Sequence, residues 1–265
     1  MVKSFLPFIA LVVIPSFGGF AAGSSGSQKG ALCLTFDDQY LNSWCRELPR
    51  FEKYGAHATF FVCWKIDGAA VQTMGRLQKA GHSIGLHGQS HATAVDVVAQ
   101  KGVDGFIAQE VVPQLQAVAA GGVRAGSWAY PNSRRSDATD VALLKRFRRL
   151  RCGGVYRKSI VGDPLSGHDM VFVPVKDIRS KALLWSAPIP STADGWKEDV
   201  CGAIRRAHDR DEVLVFHAHN IRNDNVKDPH DISCEQLEQI LQMASEIGVR
   251  IVGFDELDAL APVKD

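Results

Sequence analysis

Two clusters of acidic and imidazole side chains have a spacing that suits a single metal ion. The first, Asp37 and Asp38, ends the apolar run 31–36, and the second consists of His87 and His91. Two imidazoles four residues apart can be directed at one point by a helical turn or a tight loop. Two histidines and one carboxylate, with open positions for water, form a ligand set that catalytic zinc uses. The clusters therefore predict a metal site in which one aspartate is a ligand and the other is free to act as a base.

A third imidazole pair, His217 and His219, follows the apolar run 213–216. A histidine at the end of a strand titrates near physiological pH and suits a general acid. We prefer His217 for this role, because it comes directly after the run. Each cluster alone is more often an ordinary turn or a hydrogen-bonded histidine, so the prediction depends on their combination.

The charge balance gives no reason to expect a polyanionic partner. The chain has 265 residues, 30 Lys and Arg against 29 Asp and Glu, and 46% hydrophobic residues. It therefore has no global field that would attract nucleic acid, and its length allows one α/β domain with a sizeable core. We interpret the basic run 145–151 as the solvated end of a helix, where the helix dipole favours cations.

The N-terminus has the features of a secretory signal. Lys3 precedes the apolar stretch 5–14, and small residues follow it. This stretch is shorter than the roughly 20 residues that span a bilayer, although an uncleaved anchor is an alternative. We predict a signal peptide over 1–23, a polar spacer over 24–30 and a catalytic domain over 31–262.

The mature protein is expected to be exported, to the periplasm, the cell surface or the medium. We expect a monomer with no transmembrane segment beyond the signal. Six cysteines in an exported chain favour one or two disulfides. Cys33 and Cys63 lie inside apolar runs, however, and fit small core residues.

Strand-like and helix-like stretches alternate along the chain, which favours a parallel sheet covered by helices. The helix over 233–248 has the strongest pattern, with Ser233 and Gln236 as a capping box and Gly248 as its stop. About seven strands favour a closed or nearly closed barrel, in which functional residues lie where strands end. The strand-like runs are 31–36, 58–62, 83–86, 127–130, 183–185, 213–216 and 249–252.

These segments resemble the polysaccharide deacetylases of carbohydrate esterase family 4, the NodB homology fold. The segments 35–38 and 87–91 match the first two motifs, 54–62 matches the connecting strand, and 214–217 matches the last motif. The match extends from about residue 31 to residue 260. The resemblance implies a single domain, a distorted (β/α) barrel of about seven parallel strands. It also implies metal-dependent removal of acetyl groups from N-acetylated sugars.

Transferred residue by residue, the resemblance implies that Asp37 is the general base and His217 the general acid. It makes Asp38, His87 and His91 the metal ligands. The implied cofactor is Zn²⁺, with Co²⁺ or another divalent metal as an alternative, and the implied partner is an N-acetylated glycan of the cell envelope or surroundings. Water bound to the metal would attack the amide, and the acid would protonate the departing amine.

The third motif departs from the common pattern of the family, Arg-x-Pro-Tyr-Gly. The segment 128–135 is similar to a variant subgroup with a Tyr-Pro-Asn-Gly core, although Ser133 replaces the glycine. Tyr130 is expected near the oxyanion through its backbone. The partner that orients the base is left open, with Arg124 and Arg134 as candidates.

The fourth motif is matched only loosely. Trp185 is expected to form a wall of the sugar site, and Trp196 is the alternative, since an aromatic face packs well on a pyranose. These departures leave two other functions open. One is a hydrolase of small amides or cyclic imides on the same scaffold, and the other is an inactive glycan-binding relative.

Overall fold

Seven parallel strands form a closed barrel in the computed structural model, which describes residues 29–154 and 164–261. The strands are β1 (Ala31–Asp38), β2 (Thr59–Val62), β3 (Ser83–Leu86), β4 (Ala125–Ala129), β5 (Arg149–Gly153), β6 (Phe172–Pro174), β7 (Leu183–Pro188), β8 (Glu212–Ala218), β9 (Ile221–Arg222), β10 (Ile232–Ser233) and β11 (Arg250–Ile251). The barrel runs β1-β2-β3-β4-β5-β7-β8, and β8 pairs with β1 to close it. This confirms the predicted fold class.

Helices connect most of the barrel strands. Those within the described residues are Leu41–Arg46, Leu48–Lys53, Gly68–Lys79, Ala94–Phe106, Val112–Ala120, Asp137–Leu143, Trp196–Asp209, Cys234–Ile247 and Leu257–Leu260, with a π-helical turn at Ile107–Val111 and 3-10 turns at Pro131–Ser133, Leu165–Gly167, Asp169–Val171, Val175–Ser180 and Phe254–Glu256. The helix predicted over 233–248 is confirmed, with both halves of its capping box formed and Gly248 at φ 88°.

The remaining strands are accessory to the barrel. β6 runs antiparallel to the first half of β8, whereas β7 pairs with the second half of β8 through Ala187 and Pro188. β11 adds two residues to β1, and β9 and β10 form a separate pair. The first part of β8 is thus covered by β6, and the barrel closes on β7 at the carboxyl end of β8.

Alternation along each strand separates an inner core from an outer one. On β1, Ala31 and Cys33 belong to the cluster inside the barrel, whereas Leu32 and Leu34 pack outside, under the helices. Because side chains of a strand alternate between its two faces, the inward series continues to Asp37. The strand pattern therefore directs this carboxylate into the barrel, at its carboxyl end.

One strand of the barrel lies where the sequence indicated something else. The basic run 145–151 is not the solvated end of a helix that its sequence suggests, because the helix Asp137–Leu143 ends earlier and the run continues into β5. Arg149 and Arg151 each have only 2% of their surface exposed. The interpretation is wrong because these guanidinium groups point into the barrel, where carboxylates compensate their charge.

All six cysteines lie in the described part of the chain, and none of them forms a disulfide. The expectation of one or two bridges is therefore wrong. The thiols are dispersed, and Cys33 and Cys63 are fully buried as predicted. No helix among the described residues has the length and apolar character that crossing a bilayer requires. The predicted signal peptide 1–23 and spacer residues 24–28 lie outside the described residues.

His82 should make the stability of the fold depend on pH. Burial lowers its pKa from 6.5 to about 4, and its Nδ1 accepts the N–H of Ala58 at 2.9 Å. Between these two values the unfolded chain binds a proton that the folded chain does not. Stability is therefore complete above pH 6.5 and falls as the pH drops toward 4.

We expect His82 to account for a loss of about 2 kcal/mol in unfolding free energy between about pH 7.5 and pH 5. Urea unfolding at both pH values measures it. The control is His82→Asn, whose amide oxygen, bonded to Cγ like Nδ1, can accept the same N–H without titrating. An equal pH dependence in the two proteins would contradict the assignment.

Candidate active site

Asp38, His87 and His91 converge at the carboxyl end of the barrel. One potential ligand atom from each lies within 4.8 Å of the others. The Nε2 atoms of His87 and His91 are 3.9 Å and 3.6 Å from Oδ1 of Asp38. Two imidazole nitrogens and a carboxylate oxygen at these separations fit a divalent transition metal, so the three residues form a possible metal site.

The backbone and a hydrogen bond orient two of these ligands. Asp38 has a φ of 81°, which ends the alternation of β1, so that Asp37 and Asp38 can both serve the same end of the barrel. Nδ1 of His87 lies 2.9 Å from the carbonyl of Ala129, which fixes the tautomer with the lone pair on Nε2. Burial lowers the pKa of His87 to about 4, so this imidazole is neutral and able to coordinate at neutral pH.

Cys63 adds a contact to the carboxylate of Asp38 that the sequence did not suggest. Its thiol lies directly after β2 and donates to Oδ1 of Asp38 at 3.6 Å. Burial and the neighbouring Asp38 carboxylate raise the pKa of Cys63 far above its usual range. The thiol is therefore protonated and acts as a donor toward this carboxylate.

Asp37 has one carboxylate oxygen in an ion pair and the other without a hydrogen-bond partner among the described residues. Its Oδ2 accepts a hydrogen bond from the guanidinium of Arg151, and both side chains are buried. Burial alone would raise the pKa of Asp37, but Arg151 and nearby imidazoles lower it to about 2. Its Oδ1 is buried and has no hydrogen-bond partner among the described residues. An ionised carboxylate with one unengaged oxygen can accept a proton.

A path of contacts connects Asp37 to His217. Arg151 also donates to the hydroxyl of Ser186 at 3.1 Å, and this hydroxyl lies 2.9 Å from Nδ1 of His217. Ser186 is fully buried on β7, and His217 lies opposite Thr35 in the pairing of β8 with β1. Arg151 therefore contacts the base candidate, Ser186 contacts the acid candidate, and a hydrogen bond joins Arg151 to Ser186.

Arg124 and Arg134, the residues considered as partners of the base, lie elsewhere. Arg124 pairs with Asp255, and Arg134 pairs with Asp96, both through exposed guanidinium groups. The structure places Arg151 against Asp37 instead. The sequence offered one signal for it: alternate arginines at 149 and 151, two residues apart, fit one face of a strand.

Tyr130 has its polar groups engaged within the protein. Its N–H donates to the carbonyl of Arg151 at 2.9 Å, and its hydroxyl donates to Asp140 at 2.6 Å. The backbone N–H expected at the oxyanion is thus part of the pairing between β4 and β5. Ser133, which replaces a glycine of the variant motif, has a φ of 54°, and its hydroxyl accepts the N–H of Gly153.

Trp185 does not join the other site residues. It neighbours Ser186 on β7, so its side chain points to the opposite face of the strand, where it packs against the outer core. One exposed aromatic side chain lies beside a histidine of the possible metal site, and another follows Asp38 in the sequence. Trp64 is 43% exposed with its ring 6.2 Å from that of His91, and Tyr40, 38% exposed, follows Asp38 by two residues.

Comparisons with known proteins agree with this architecture. A model of the polysaccharide deacetylase family matches residues 24–147, which include Asp37, Asp38, His87 and His91. An uncharacterised 30.6 kDa protein of Geobacillus stearothermophilus is 31% identical over 90 residues. That match covers 34% of this chain and only 33% of the length of the relative.

Several solved deacetylases share the fold. A deacetylase solved with its substrate is 20% identical, with a TM-score of 0.55, over 89% of this chain and 94% of its own. A chitin deacetylase of Colletotrichum lindemuthianum is 16% identical, with a TM-score of 0.56, over 87% and 88% of the two chains. A peptidoglycan deacetylase of Bacillus subtilis is 16% identical, with a TM-score of 0.51, over 88% and 91%.

The match of the family model includes the residues of the possible metal site, and the shared fold extends over nearly all of the described chain. Over residues 24–147 the chain is therefore similar to the polysaccharide deacetylase family, and it shares its fold with solved deacetylases over nearly all of the described residues.

Proposed function

We propose that this protein is an exported, metal-dependent deacetylase that removes N-acetyl groups from an envelope or extracellular polysaccharide. The proposal rests on the convergence of Asp38, His87 and His91 beside the carboxylate of Asp37, whose Oδ1 has no hydrogen-bond partner among the described residues. A binding module needs no such combination of metal ligands and a base. The predicted signal peptide 1–23 supports the export.

Asp38, His87 and His91 would hold the metal, with Zn²⁺ as the first choice for this ligand set. When bound, a divalent metal would supply a Lewis acid that polarises the acetyl carbonyl and activates water. Asp37 would take the proton of the attacking water on Oδ1, because its Oδ2 is held by Arg151. His217, oriented by Ser186, would protonate the departing amine.

Trp64 and Tyr40 would contact the sugar in place of the expected Trp185. Exposed aromatic rings beside a catalytic site offer flat apolar faces to pyranose rings. Trp64 is held in a left-handed backbone conformation, with a φ of 59°, and its N–H donates to the carbonyl of Gly88 at 2.8 Å. The backbone of this loop therefore holds the Trp64 side chain in its exposed position.

Acetate release from a panel of N-acetylated glycans tests the proposal. Chitin oligomers, peptidoglycan fragments and small amides would be compared, with metal content measured on the same sample. We expect release from at least one glycan class, loss of activity after chelation, and recovery with Zn²⁺ or Co²⁺. Full activity in the chelated protein would contradict the metal role, and hydrolysis of small amides alone would contradict the glycan substrate.

Trp64→Ala should separate glycan binding from chemistry. We expect KM for an acetylated oligosaccharide to rise about tenfold, since a stacked ring contributes roughly 1 kcal/mol or more. The kcat/KM for a small acetyl ester should stay within about twofold of the original. Steady-state kinetics with both substrates measure this, and Trp185→Ala is the matched control. Equal effects on both substrates would argue against a sugar contact.

A further inference from the structure

The loop between the two histidine ligands is held by the helical segment that packs on it. The N–H of Gly88 donates to Oε1 of Gln114 at 3.1 Å. The next N–H, that of Gln89, donates to the backbone carbonyl of Glu110 at 3.0 Å. The third, that of Ser90, donates to the carboxylate of Glu110 at 2.8 Å. All three consecutive N–H groups of the loop are thus bound by two residues.

Both residues are fully buried and have further contacts that fix them. The carboxylate of Glu110 also accepts from the hydroxyl of Ser90 at 2.7 Å and from the side-chain amide of Gln109 at 2.8 Å. The side-chain amide of Gln114 donates to the carbonyls of Val62 and Trp64 at 3.2 Å and 2.9 Å. Gln114 therefore joins the histidine loop to the end of β2.

Glu110 lies in a π-helical turn, Ile107–Val111, where the regular α-helical hydrogen-bond pattern is interrupted. Pro113 has no N–H, so it cannot continue the hydrogen bonds of a regular helix at this point. Independently of Pro113, the carbonyl of Glu110 accepts a hydrogen bond from outside the helix, from the N–H of Gln89 at 3.0 Å. Such turns frequently occur at functional sites.

The loop needs this support because its backbone is not in a preferred conformation. Gly88 has a φ of 94° and His91 a φ of 57°. A left-handed non-glycine residue persists where the surrounding structure determines it. A Cβ at position 88 would also lie 3.3 Å from Oε2 of Glu110, so the glycine permits this close approach.

We propose that Glu110 and Gln114 are positioning residues for the metal site. By binding loop 88–90 in one conformation, they direct the imidazoles of His87 and His91 to a common point before a metal binds. Ligands that are oriented in advance bind a metal more tightly, and outer contacts of this kind typically change metal affinity 10–100-fold. The inference rests on the proposed function, because it takes these histidines as ligands.

Glu110→Gln is the main test, since the amide has nearly the same shape but presents a donor where the carboxylate accepts from Ser90. The Kd for Zn²⁺ would be measured on the metal-free full chain by competition with a chromophoric chelator. We expect it to rise about 10–100-fold while the variant stays folded. Glu212→Gln is the matched control: Glu212 is also buried but pairs with Arg206 where β8 begins. It should lower stability and leave the Kd within about twofold.

Ser90→Ala keeps the test decisive if Glu110→Gln does not fold, because Ser90 is exposed and loses one hydrogen bond only. Its Kd should rise about threefold to tenfold. A folded variant at position 110 or 90 with an unchanged Kd would overturn the positioning role. If the original protein binds no Zn²⁺, the proposed function fails instead, so the two failures are distinguishable.

Discussion

If the proposed function is correct, Asp37→Asn should lower turnover sharply and leave the metal content unchanged. The amide oxygen of asparagine can still accept from Arg151, but the side chain can no longer take a proton from water. General-base catalysis contributes about 10²–10⁴-fold, so we expect kcat to fall by that factor. The measurements are kcat for acetate release and the metal content of the same preparation.

Asp38→Asn is the matched control for this experiment, since it makes the same change one residue along β1. It should lower the metal content, because Asp38 supplies the carboxylate of the possible metal site. The two variants therefore separate catalysis from metal binding. Substantial activity in Asp37→Asn would show that another group is the base, and metal loss in it would show that Asp37 is a ligand.

Arg151→Met should affect both activity and stability. The variant removes the buried charge that faces Asp37 and the donor to Ser186, so both other side chains lose a partner. Breaking a buried pair by removing one partner typically costs about 3–5 kcal/mol. Without Arg151, burial should raise the pKa of Asp37. Ser186 would also lose the donor that fixes its hydroxyl beside His217. We expect unfolding free energy to fall by that amount and kcat by at least about 10²-fold.

Arg149→Met is the matched control for Arg151→Met. Arg149 lies on the same strand, is equally buried, and pairs with Asp258 on the side of the barrel away from the metal site. Its loss should lower stability and leave kcat within about threefold of the original. Urea unfolding and acetate release on both variants measure these effects. Equal losses of kcat would indicate that Arg151 acts through the stability of the barrel alone.

The sequence predicted the fold well wherever a continuous apolar run marked a strand. Six of the seven barrel strands coincide with apolar runs, because their side chains are buried on both faces. β5 was missed, since its inward positions carry Arg149 and Arg151. Nothing in the local pattern shows that a carboxylate distant in sequence, Asp258 for Arg149 and Asp37 for Arg151, compensates each of these charges.

The site was predictable to the extent that its residues are close in sequence. The sequence shows two short clusters, His87 with His91 and Asp37 with Asp38, and their residue types together predicted one metal site. The structure brings the predicted ligands Asp38, His87 and His91 together. The partners that tune them come from other strands and helices. Arg151, Ser186 and Glu110 carry no motif of their own, and only the closed barrel shows which side chains they meet.

The contacts from Asp37 through Arg151 and Ser186 to His217 join two titratable groups, yet they form no proton wire. A guanidinium has donors only and is not deprotonated in proteins, so no proton can hop across Arg151. The carboxylate and the imidazole can influence each other's charge while remaining insulated from direct exchange. In the proposed reaction, each group would therefore exchange its proton with the solvent or the reacting molecule and not with the other group.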